Sequence, residues 1–314
     1  MLRRAEAISG TDFLLLHFTA MKNLVVIFLQ GLLLVAAHAQ VPVIGPAIKI
    51  YKTVGNTKLT AHVFQPAESK PGERRPAIVL FHGGGWVAGS PEWVYEAAKR
   101  YASYGAVAVA VEYRLSDQKL ITPLDAQADA RDVIRWMRRN SGELGIDVKR
   151  VAVYGVSAGG QLAGWLATMG DADKNETRTE PDALVLISPA VSVEHDGWFQ
   201  KLLGEQGKAE SVSPSEHIEK TLAPTIIFHG SADTLVPIAG VRRYCERAKK
   251  LGSECEVYAY VGVGHLFTRK LDSQEDDFDP DPKAVVDARA KGDQFLAERG
   301  FLPLYPGASN PKGH

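Results

Sequence analysis

Short apolar runs alternate with longer amphipathic segments along most of this chain. "PAIVLF", "AVAVAV", "VAVYGV", "ALVLI" and "PTIIF" are apolar at every or nearly every position, which is typical of strands covered on both faces of a sheet. Segments such as "PLDAQADARDVIRWMRRN" place apolar residues three and four positions apart, the spacing of one helix face. Strands and helices that alternate at this length predict an α/β fold with a mostly parallel sheet and helices on both faces.

The first two predicted strands form an exception to the parallel pattern. "AIKIYKTVG" and "KLTAHVFQPA" are joined by a Gly-Asn turn, which is a signal for a β-hairpin. The hairpin predicts an antiparallel edge on the sheet. No internal repeat or long linker follows, so we expect residues 40–314 to form a single α/β domain.

Residues 190–223 have no strand pattern. Segments of this length inside a compact domain are usually functional loops. Within it, "HDGWFQKLLGEQG" predicts a short amphipathic helix with Trp198, Phe199 and Leu202 on its apolar side. The sequence leaves two interpretations open, a lid over a site and a surface helix that covers the sheet edge.

The N-terminus has the pattern of an export signal. "MKNLVVIFLQGLLLVAAHAQ" contains Lys22, an apolar run and an Ala-His-Ala end, as secretory signal peptides do. We expect residues 1–39 to comprise an upstream extension and this signal, with Met21 as the true start and cleavage after Ala39. A retained N-terminal anchor is the alternative. Cleavage predicts a secreted or periplasmic protein with no membrane association.

Charge and cysteine content narrow the function classes. Lys and Arg total 36 against 37 Asp and Glu, which gives no electrostatic argument for binding nucleic acid or an anionic membrane. The two cysteines, Cys245 and Cys255, fit either a disulfide, which export permits, or two buried thiols.

The acidic stretch Asp272–Pro282 lacks the spacing of a calcium loop, so we expect a solvated loop there. No metal cluster or cofactor motif appears in the sequence.

The stretch "VAVYGVSAGG" places Ser157 in a G-x-S-x-G pattern between a predicted strand and a predicted helix. A sharp turn there projects the serine hydroxyl from the carboxyl edge of the sheet, and flanking glycines allow the chain to turn that tightly. Alone, the pattern fits both a nucleophile and an ordinary small-residue turn. The choice depends on whether the chain supplies the other groups of a catalytic site.

A glycine run after an earlier strand supplies one of those groups. In "HGGGW", His82 is followed by three glycines and Trp86, and consecutive glycines expose backbone N–H groups for an oxyanion. We expect Gly83 and Gly84 to form the oxyanion hole with the N–H of Ala158. We expect His82 to anchor the loop by hydrogen bonding.

An acid and a base follow in the order that this arrangement requires. "HGSADTLVP" places Asp233 directly after one strand, and "VGVGHLF" places His265 after the last strand. Both side chains are therefore expected at the same sheet edge as Ser157. His265 would accept the Ser157 proton, and Asp233 would orient the imidazole. We expect His229, at the start of the Asp233 turn, to be structural.

Together these motifs resemble the α/β-hydrolase superfamily, over about residues 48–300. More narrowly, "HGGGW", "VEYRL", "GVSAGG", "SPSEH", "HGSADTLVP" and "GHLF" resemble the hormone-sensitive-lipase-like esterases and the acetylxylan/feruloyl esterase group. The resemblance implies that Glu112, Tyr113 and Arg114 support the oxyanion loop. The chain lacks the helical N-terminal cap usual in hormone-sensitive-lipase-like enzymes, which favours a minimally capped carbohydrate esterase.

The expected function is therefore carboxylic ester hydrolysis by a serine esterase without a cofactor. Its expected substrate is a small ester or an acylated carbohydrate, with acetyl or feruloyl groups on plant polysaccharide favoured. Trp86 and Trp198 would contact this substrate or serve as core residues. The alternatives are a serine peptidase that resembles prolyl oligopeptidase and a non-catalytic binding protein with a hydrolase fold.

Overall fold

The computed structural model describes residues 42–306, except 69, 71, 118, 171–176, 276 and 277. Within those residues, eight strands form one sheet. The strands are β1 (Val43–Val54), β2 (Thr57–Pro66), β3 (Arg75–Phe81), β4 (Val107–Val111), β5 (Ile146–Val156), β6 (Ala183–Ile187), β7 (Thr225–Gly230) and β8 (Cys255–Tyr260).

The strand order across the sheet is β1-β2-β4-β3-β5-β6-β7-β8. β1 and β2 pair antiparallel, and β2 also pairs antiparallel with β4. Every other neighbouring pair is parallel. The predicted α/β class, with a mostly parallel sheet and an antiparallel edge hairpin, is confirmed.

Three of the helices begin at side-chain caps, and one of these caps is the Asp196 carboxylate, which accepts from the Phe199 N–H at the start of α5. Thr122 and Asp125 form a reciprocal capping box at the start of α2, and the Asp281 carboxylate accepts a 2.8 Å hydrogen bond from the Ala284 N–H at the start of α7. Such caps satisfy amide groups that have no partner inside the helix. The helices are α1 (Tyr95–Ser103), α2 (Pro123–Arg139), α3 (Ser141–Leu144), α4 (Ala158–Met169), α5 (Gly197–Leu203), α6 (Ile238–Lys250) and α7 (Pro282–Glu298).

The central strands bury both of their faces. In β3, Val79 and Phe81 pack with α2, α4 and α6 on one face, whereas Ile78 and Leu80 pack with α1 and α7 on the other. All four side chains are fully buried. Alternate residues point to opposite faces of a strand, which explains why these strands are apolar throughout.

The predicted signal peptide and its cleavage site lie outside the described residues. Among the residues that are described, no helix is both long enough and apolar enough to cross a membrane. The export of this chain therefore stays a prediction.

The two cysteines, which the sequence left open, form a disulfide. Cys245 on α6 is bonded to Cys255 at the start of β8, with their Cα atoms 5.3 Å apart. Both residues are buried. The bond joins the last strand of the sheet to the helix that precedes it.

We expect the double variant Cys245→Ala/Cys255→Ala to unfold at a lower urea concentration than the wild type. A cross-link that closes so short a loop reduces the entropy of the unfolded chain and contributes about 2–3 kcal/mol to the free energy of unfolding. Urea unfolding followed by circular dichroism measures the difference. Equal midpoints in the two proteins under oxidising conditions would contradict a stabilising disulfide.

Candidate active site

Ser157 lies in a strained turn between β5 and α4. Its backbone has φ 52° and ψ −115°, a conformation that costs a non-glycine residue about 1–3 kcal/mol. The Ser157 N–H donates to the Ile187 carbonyl over 2.9 Å, and the Ser157 carbonyl accepts from the Gly160 N–H over 2.9 Å. These bonds to β6 and α4 hold the hydroxyl at the carboxyl edge of the sheet.

The glycines around Ser157 are required by close backbone packing. A Cβ at Gly155 would lie 2.5 Å from the Gly159 carbonyl oxygen, and a Cβ at Gly159 would lie 2.3 Å from the Phe81 carbonyl oxygen. No real side chain fits at such distances. The G-x-S-x-G pattern therefore allows α4 to begin directly against the end of β3.

Ser157, His265 and Asp233 form one hydrogen-bonded chain. His265 Nε2 lies 3.0 Å from Ser157 Oγ, and His265 Nδ1 lies 2.8 Å from Asp233 Oδ2. The structure therefore brings together three residues that the sequence predicted separately. Because Nδ1 faces a carboxylate, we assign the proton to Nδ1, which leaves Nε2 to accept the Ser157 proton.

Asp233 is buried but stays ionised. Burial raises the pKa of its carboxyl group, but hydrogen bonds from His229 and His265 outweigh this effect and lower the pKa below its usual value of 3.8. The other carboxylate oxygen accepts from the N–H groups of Leu235 and Val236, over 3.0 Å and 2.8 Å. An anion fixed in this way orients the imidazole and stabilises its protonated form.

The loop after β3 lies beside the serine. A Cβ at Gly83 would be 3.2 Å from the Ser157 Cβ, and Gly84 has φ +113°, which favours glycine. Within the described part of the chain, the N–H groups of Gly83, Gly84 and Ala158 donate to no protein acceptor. Three free donors next to a nucleophile can stabilise a developing oxyanion.

His82 and Tyr113 hold that loop in place. The Tyr113 hydroxyl donates to the His82 carbonyl over 2.8 Å, and the two rings stack at 4.3 Å. The His82 Nδ1 lies 2.7 Å from the Gly83 carbonyl. Burial lowers the pKa of His82 to about 4, so the ring is neutral at pH 7 and donates through Nδ1.

Glu112 and Arg114, on either side of Tyr113 in the sequence, form hydrogen bonds away from the glycine loop. The Glu112 carboxylate accepts from the Thr60 N–H over 3.1 Å and so ties the end of β4 to β2. The Arg114 guanidinium forms two 2.8 Å hydrogen bonds to Asp129 on α2. Of the three residues that the resemblance implied, only Tyr113 contacts the loop directly, whereas the other two brace the strand end that carries it.

The two tryptophans have structural contacts. The Trp86 ring is 3% exposed and packs edge-on against Phe199 of α5, with centroids 4.7 Å apart. Trp86 is thus packed as a core residue, one of the two roles that the sequence left open, and its contact with substrate stays a prediction. Trp198 is 40% exposed, and its indole N–H donates to the Gly85 carbonyl over 3.1 Å. Through these contacts α5 packs on the glycine loop, and a substrate contact of Trp198 stays a prediction.

Gln274 is a site residue that the sequence interpretation missed. Its side-chain oxygen accepts from the backbone N–H groups of His265 and Thr234, over 2.9 Å and 3.2 Å. Its amide nitrogen donates to the Ala232 carbonyl over 2.8 Å. The Gln274 side chain, which is 4% exposed, thus joins the loop that carries Asp233 to the loop that carries His265.

Gln274 belongs to the acidic stretch that we expected to be a solvated loop. That expectation is wrong for this residue, because the stretch folds back under the loop that carries His265. A Cβ at Gly264 would lie 2.4 Å from the Gln274 side chain, so the preceding glycine makes room for it. The sequence feature that could have indicated this role is an uncharged amide among acidic residues, nine positions after His265.

We expect Gln274→Ala to lower kcat for 4-nitrophenyl acetate about tenfold to 100-fold while KM changes little. Without this side chain His265 shifts, and its Nε2 is no longer placed to accept the Ser157 proton. Gln274→Glu keeps both acceptor interactions and should recover part of the loss. Steady-state kinetics at pH 7.5 measures both effects, and exposed Gln294→Ala is the matched control. A folded Gln274→Ala protein with wild-type kcat would contradict this positioning role.

We expect His82 to make the stability of the protein depend on pH between pH 7 and pH 4. Its pKa falls from 6.5 to about 4 on folding, so the unfolded chain takes up the proton first and stability is lost as the pH falls. This loss amounts to about 3 kcal/mol. Urea unfolding at both pH values should show a smaller loss in His82→Gln. The lowered pKa values of Asp233 and Glu194 also cost stability near and below pH 4.5, but they act equally in both proteins and cancel in the comparison. Identical pH dependence in the two proteins would contradict a buried neutral His82.

Comparisons with known proteins agree with this architecture. Residues 78–207 match a family described as having the alpha/beta hydrolase fold. The solved structure of Thermogutta terrifontis esterase 2 phosphoramylated by tabun is 35% identical to this chain, with a TM-score of 0.71. That similarity covers 81% of this chain and 95% of the esterase chain.

Curated relatives are also esterases. The chain is 27% identical to the ethyl acetate hydrolase of Pseudomonas putida, over 77% of this chain and 81% of the relative. It is 23% identical to the esterase LipC of Mycobacterium tuberculosis, over 63% of this chain. The match spans only about half of LipC, 54% of its length. With the sheet, the turn at Ser157 and the similarity to a solved esterase over most of both chains, this chain belongs to the α/β-hydrolase family, in its branch of carboxylic ester hydrolases.

Proposed function

We propose that this protein hydrolyses short-chain carboxylic esters, with Ser157 as nucleophile, His265 as general base and acid, and Asp233 as the group that orients the base. The observation that carries this proposal is the hydrogen-bonded chain of the three side chains, 3.0 Å and 2.8 Å long at its two steps. Backbone N–H groups without a protein acceptor among the described residues lie beside the serine, at Gly83, Gly84 and Ala158. An ordinary small-residue turn explains neither feature.

The reaction proceeds through an acyl-enzyme. Ser157 Oγ attacks the ester carbonyl carbon as His265 Nε2 takes its proton, and the carbonyl oxygen gains negative charge against the N–H groups of Gly83, Gly84 and Ala158. The tetrahedral intermediate expels the alcohol, which takes the proton from His265. Water, activated by the same imidazole, then releases the acid and restores Ser157.

Several features favour a short acyl group. The relative in Pseudomonas putida is named for ethyl acetate, and Thermogutta terrifontis esterase 2 has been solved with propionate and with butyrate. We also propose acetyl and feruloyl esters of plant polysaccharide as the natural substrates, because the sequence motifs resemble those of the carbohydrate esterases.

We further propose that the protein acts outside the cytoplasm. The signal-like N-terminus is the main argument, and the bond between Cys245 and Cys255 supports it, because disulfides persist chiefly in oxidising compartments. An exported enzyme would meet polymer-bound esters that cells cannot take up.

We expect Ser157→Ala to lower kcat/KM for 4-nitrophenyl acetate about 10⁵-fold to 10⁶-fold without unfolding the protein, as loss of a nucleophile does in serine hydrolases. Circular dichroism checks the fold, and exposed Ser211→Ala serves as the control with wild-type activity. Substantial residual turnover in the purified Ser157→Ala protein would overturn the assignment.

A substrate panel separates the proposed esterase from the peptidase alternative. We expect 4-nitrophenyl acetate and butyrate to be hydrolysed faster than 4-nitrophenyl laurate or an aminoacyl-4-nitroanilide. Acetate release from acetylated xylan and ferulate release from methyl ferulate test the carbohydrate proposal. Preference for the anilide or the laurate would contradict short-ester hydrolysis.

A further inference from the structure

A cavity of about 360 Å³ lies between α7 and the segment formed by Pro91–Val94 and α1. Its floor is the sheet face that carries β5 and β6. Its volume falls within the range of small-molecule sites, about 300–1,000 Å³. Apolar and aromatic side chains form much of its wall, among them Trp93, Val94, Tyr101, Val185, Ile187 and Phe267.

One end of this cavity reaches the catalytic residues. Gly83, Val156 and Leu266 all line it. Gly83 belongs to the glycine loop, Val156 directly precedes Ser157, and Leu266 directly follows His265. A group attached to an ester carbonyl at Ser157 can therefore enter the cavity past Gly83.

The cavity also extends away from the serine along the sheet. Tyr154 lines it as well, and this residue is two positions before Val156 on β5, about 7 Å further from the serine. Arg100 and Arg289 line the cavity and interact electrostatically with Tyr154. A substrate group several atoms long would span from the carbonyl to these guanidinium groups.

The two guanidinium groups differ in their contact with a buried carboxylate, that of Asp293. Arg100 Nε lies 3.1 Å from Asp293 Oδ2, and Asp293 is 4% exposed. Arg289 is half-buried and has no hydrogen-bond or ion-pair partner among the described residues. Burial and the neighbouring Arg100 lower the pKa of Arg289 more than Tyr154, Asp293 and Glu96 raise it, yet a guanidinium remains charged in proteins.

The acidic residues on the cavity wall are already engaged. Glu96 lies 3.0 Å from Lys99, and Glu92 interacts with Ser90 and Tyr95. Glu96 and Asp293 attract Arg289 at longer range, but within the described residues neither forms a hydrogen bond or ion pair with it. A partly buried cation without a partner is costly, and a carboxylate from a ligand would satisfy it with charge-assisted hydrogen bonds.

We propose that this cavity binds the part of the substrate that carries a carboxylate, with Arg289 as the residue that determines specificity. Among esters of matched length, the protein then prefers those that carry a carboxylate, such as monoesters of short dicarboxylic acids or acetyl esters of short hydroxy acids. This proposal rests on the proposed esterase function. Hydrolysis breaks the acyl–oxygen bond with water as the second reactant and leaves a carboxylate-bearing product at Arg289.

The test compares anionic and neutral esters of matched length by acid release in a pH-stat. Monoethyl glutarate against ethyl pentanoate places the carboxylate on the acyl side, and O-acetyl-4-hydroxybutyrate against butyl acetate places it on the alcohol side. We expect the wild type to prefer the anionic member of at least one pair. Arg289→Met should lower that preference about 10-fold to 100-fold, the value of a hydrogen-bonded charge pair, with neutral esters changed less than about twofold.

Matched variants isolate the guanidinium. Lys283→Met removes the same charge from an exposed position on α7 and should leave the preference unchanged, whereas Arg289→Lys should retain part of it. An equal preference in the wild type and Arg289→Met, or an equal loss in Lys283→Met, would overturn the proposal.

Binding to a catalytically dead protein separates failure of this proposal from failure of the proposed function. Calorimetry of glutarate against Ser157→Ala and Ser157→Ala/Arg289→Met requires no turnover. Binding at least tenfold weaker in the double variant supports the carboxylate site even if the tested esters are poor substrates. Equal or undetectable binding in both proteins would contradict it, whatever the esterase activity.

Discussion

The arrangement of the site depends on the contact between the start of α4 and the end of β3. A side chain at Gly159 would lie within 2.3 Å of the Phe81 carbonyl oxygen and 2.5 Å of the His82 carbonyl oxygen, so the two backbones touch directly. This contact brings the strained turn at Ser157 beside the loop that begins at Gly83. A larger residue at position 159 would separate the hydroxyl from the free N–H groups, and neither part could act without the other.

The other half of the site is built from two loops that share polar contacts. Asp233 stays ionised in a buried position because two backbone N–H groups and two imidazoles surround it. Gln274 joins the same loop to the backbone of His265. The Asp233 carboxylate and the Gln274 amide thus each have several hydrogen-bond partners, and this network fixes the geometry of the His265 imidazole.

The two sides of the serine differ in packing. On one side α5 closes against Trp86 and the glycine loop, and its apolar residues are buried with Ala158. On the other side a cavity remains between α1 and α7, with Arg289 on its wall. In the proposed function the reacting groups lie on loops at the sheet edge, and the proposed contact with the carboxylate of the substrate comes from a helix that contributes no catalytic group. Such a separation allows one catalytic arrangement to serve different esters.

The sequence by itself determined the alternation of strands and helices, the antiparallel edge, and the candidate roles of Ser157, Asp233 and His265. These follow from local rules, since burial dictates apolar strands, tight turns require glycine, and loops at the same sheet edge converge. The tertiary structure decided the disulfide, the buried position of Trp86, the bridge made by Gln274 and the position of Arg289, which forms no hydrogen bond or ion pair within the described part of the chain. Each depends on distances between side chains on elements far apart in the sequence. No local pattern encodes these distances, because they are set only when the elements pack together.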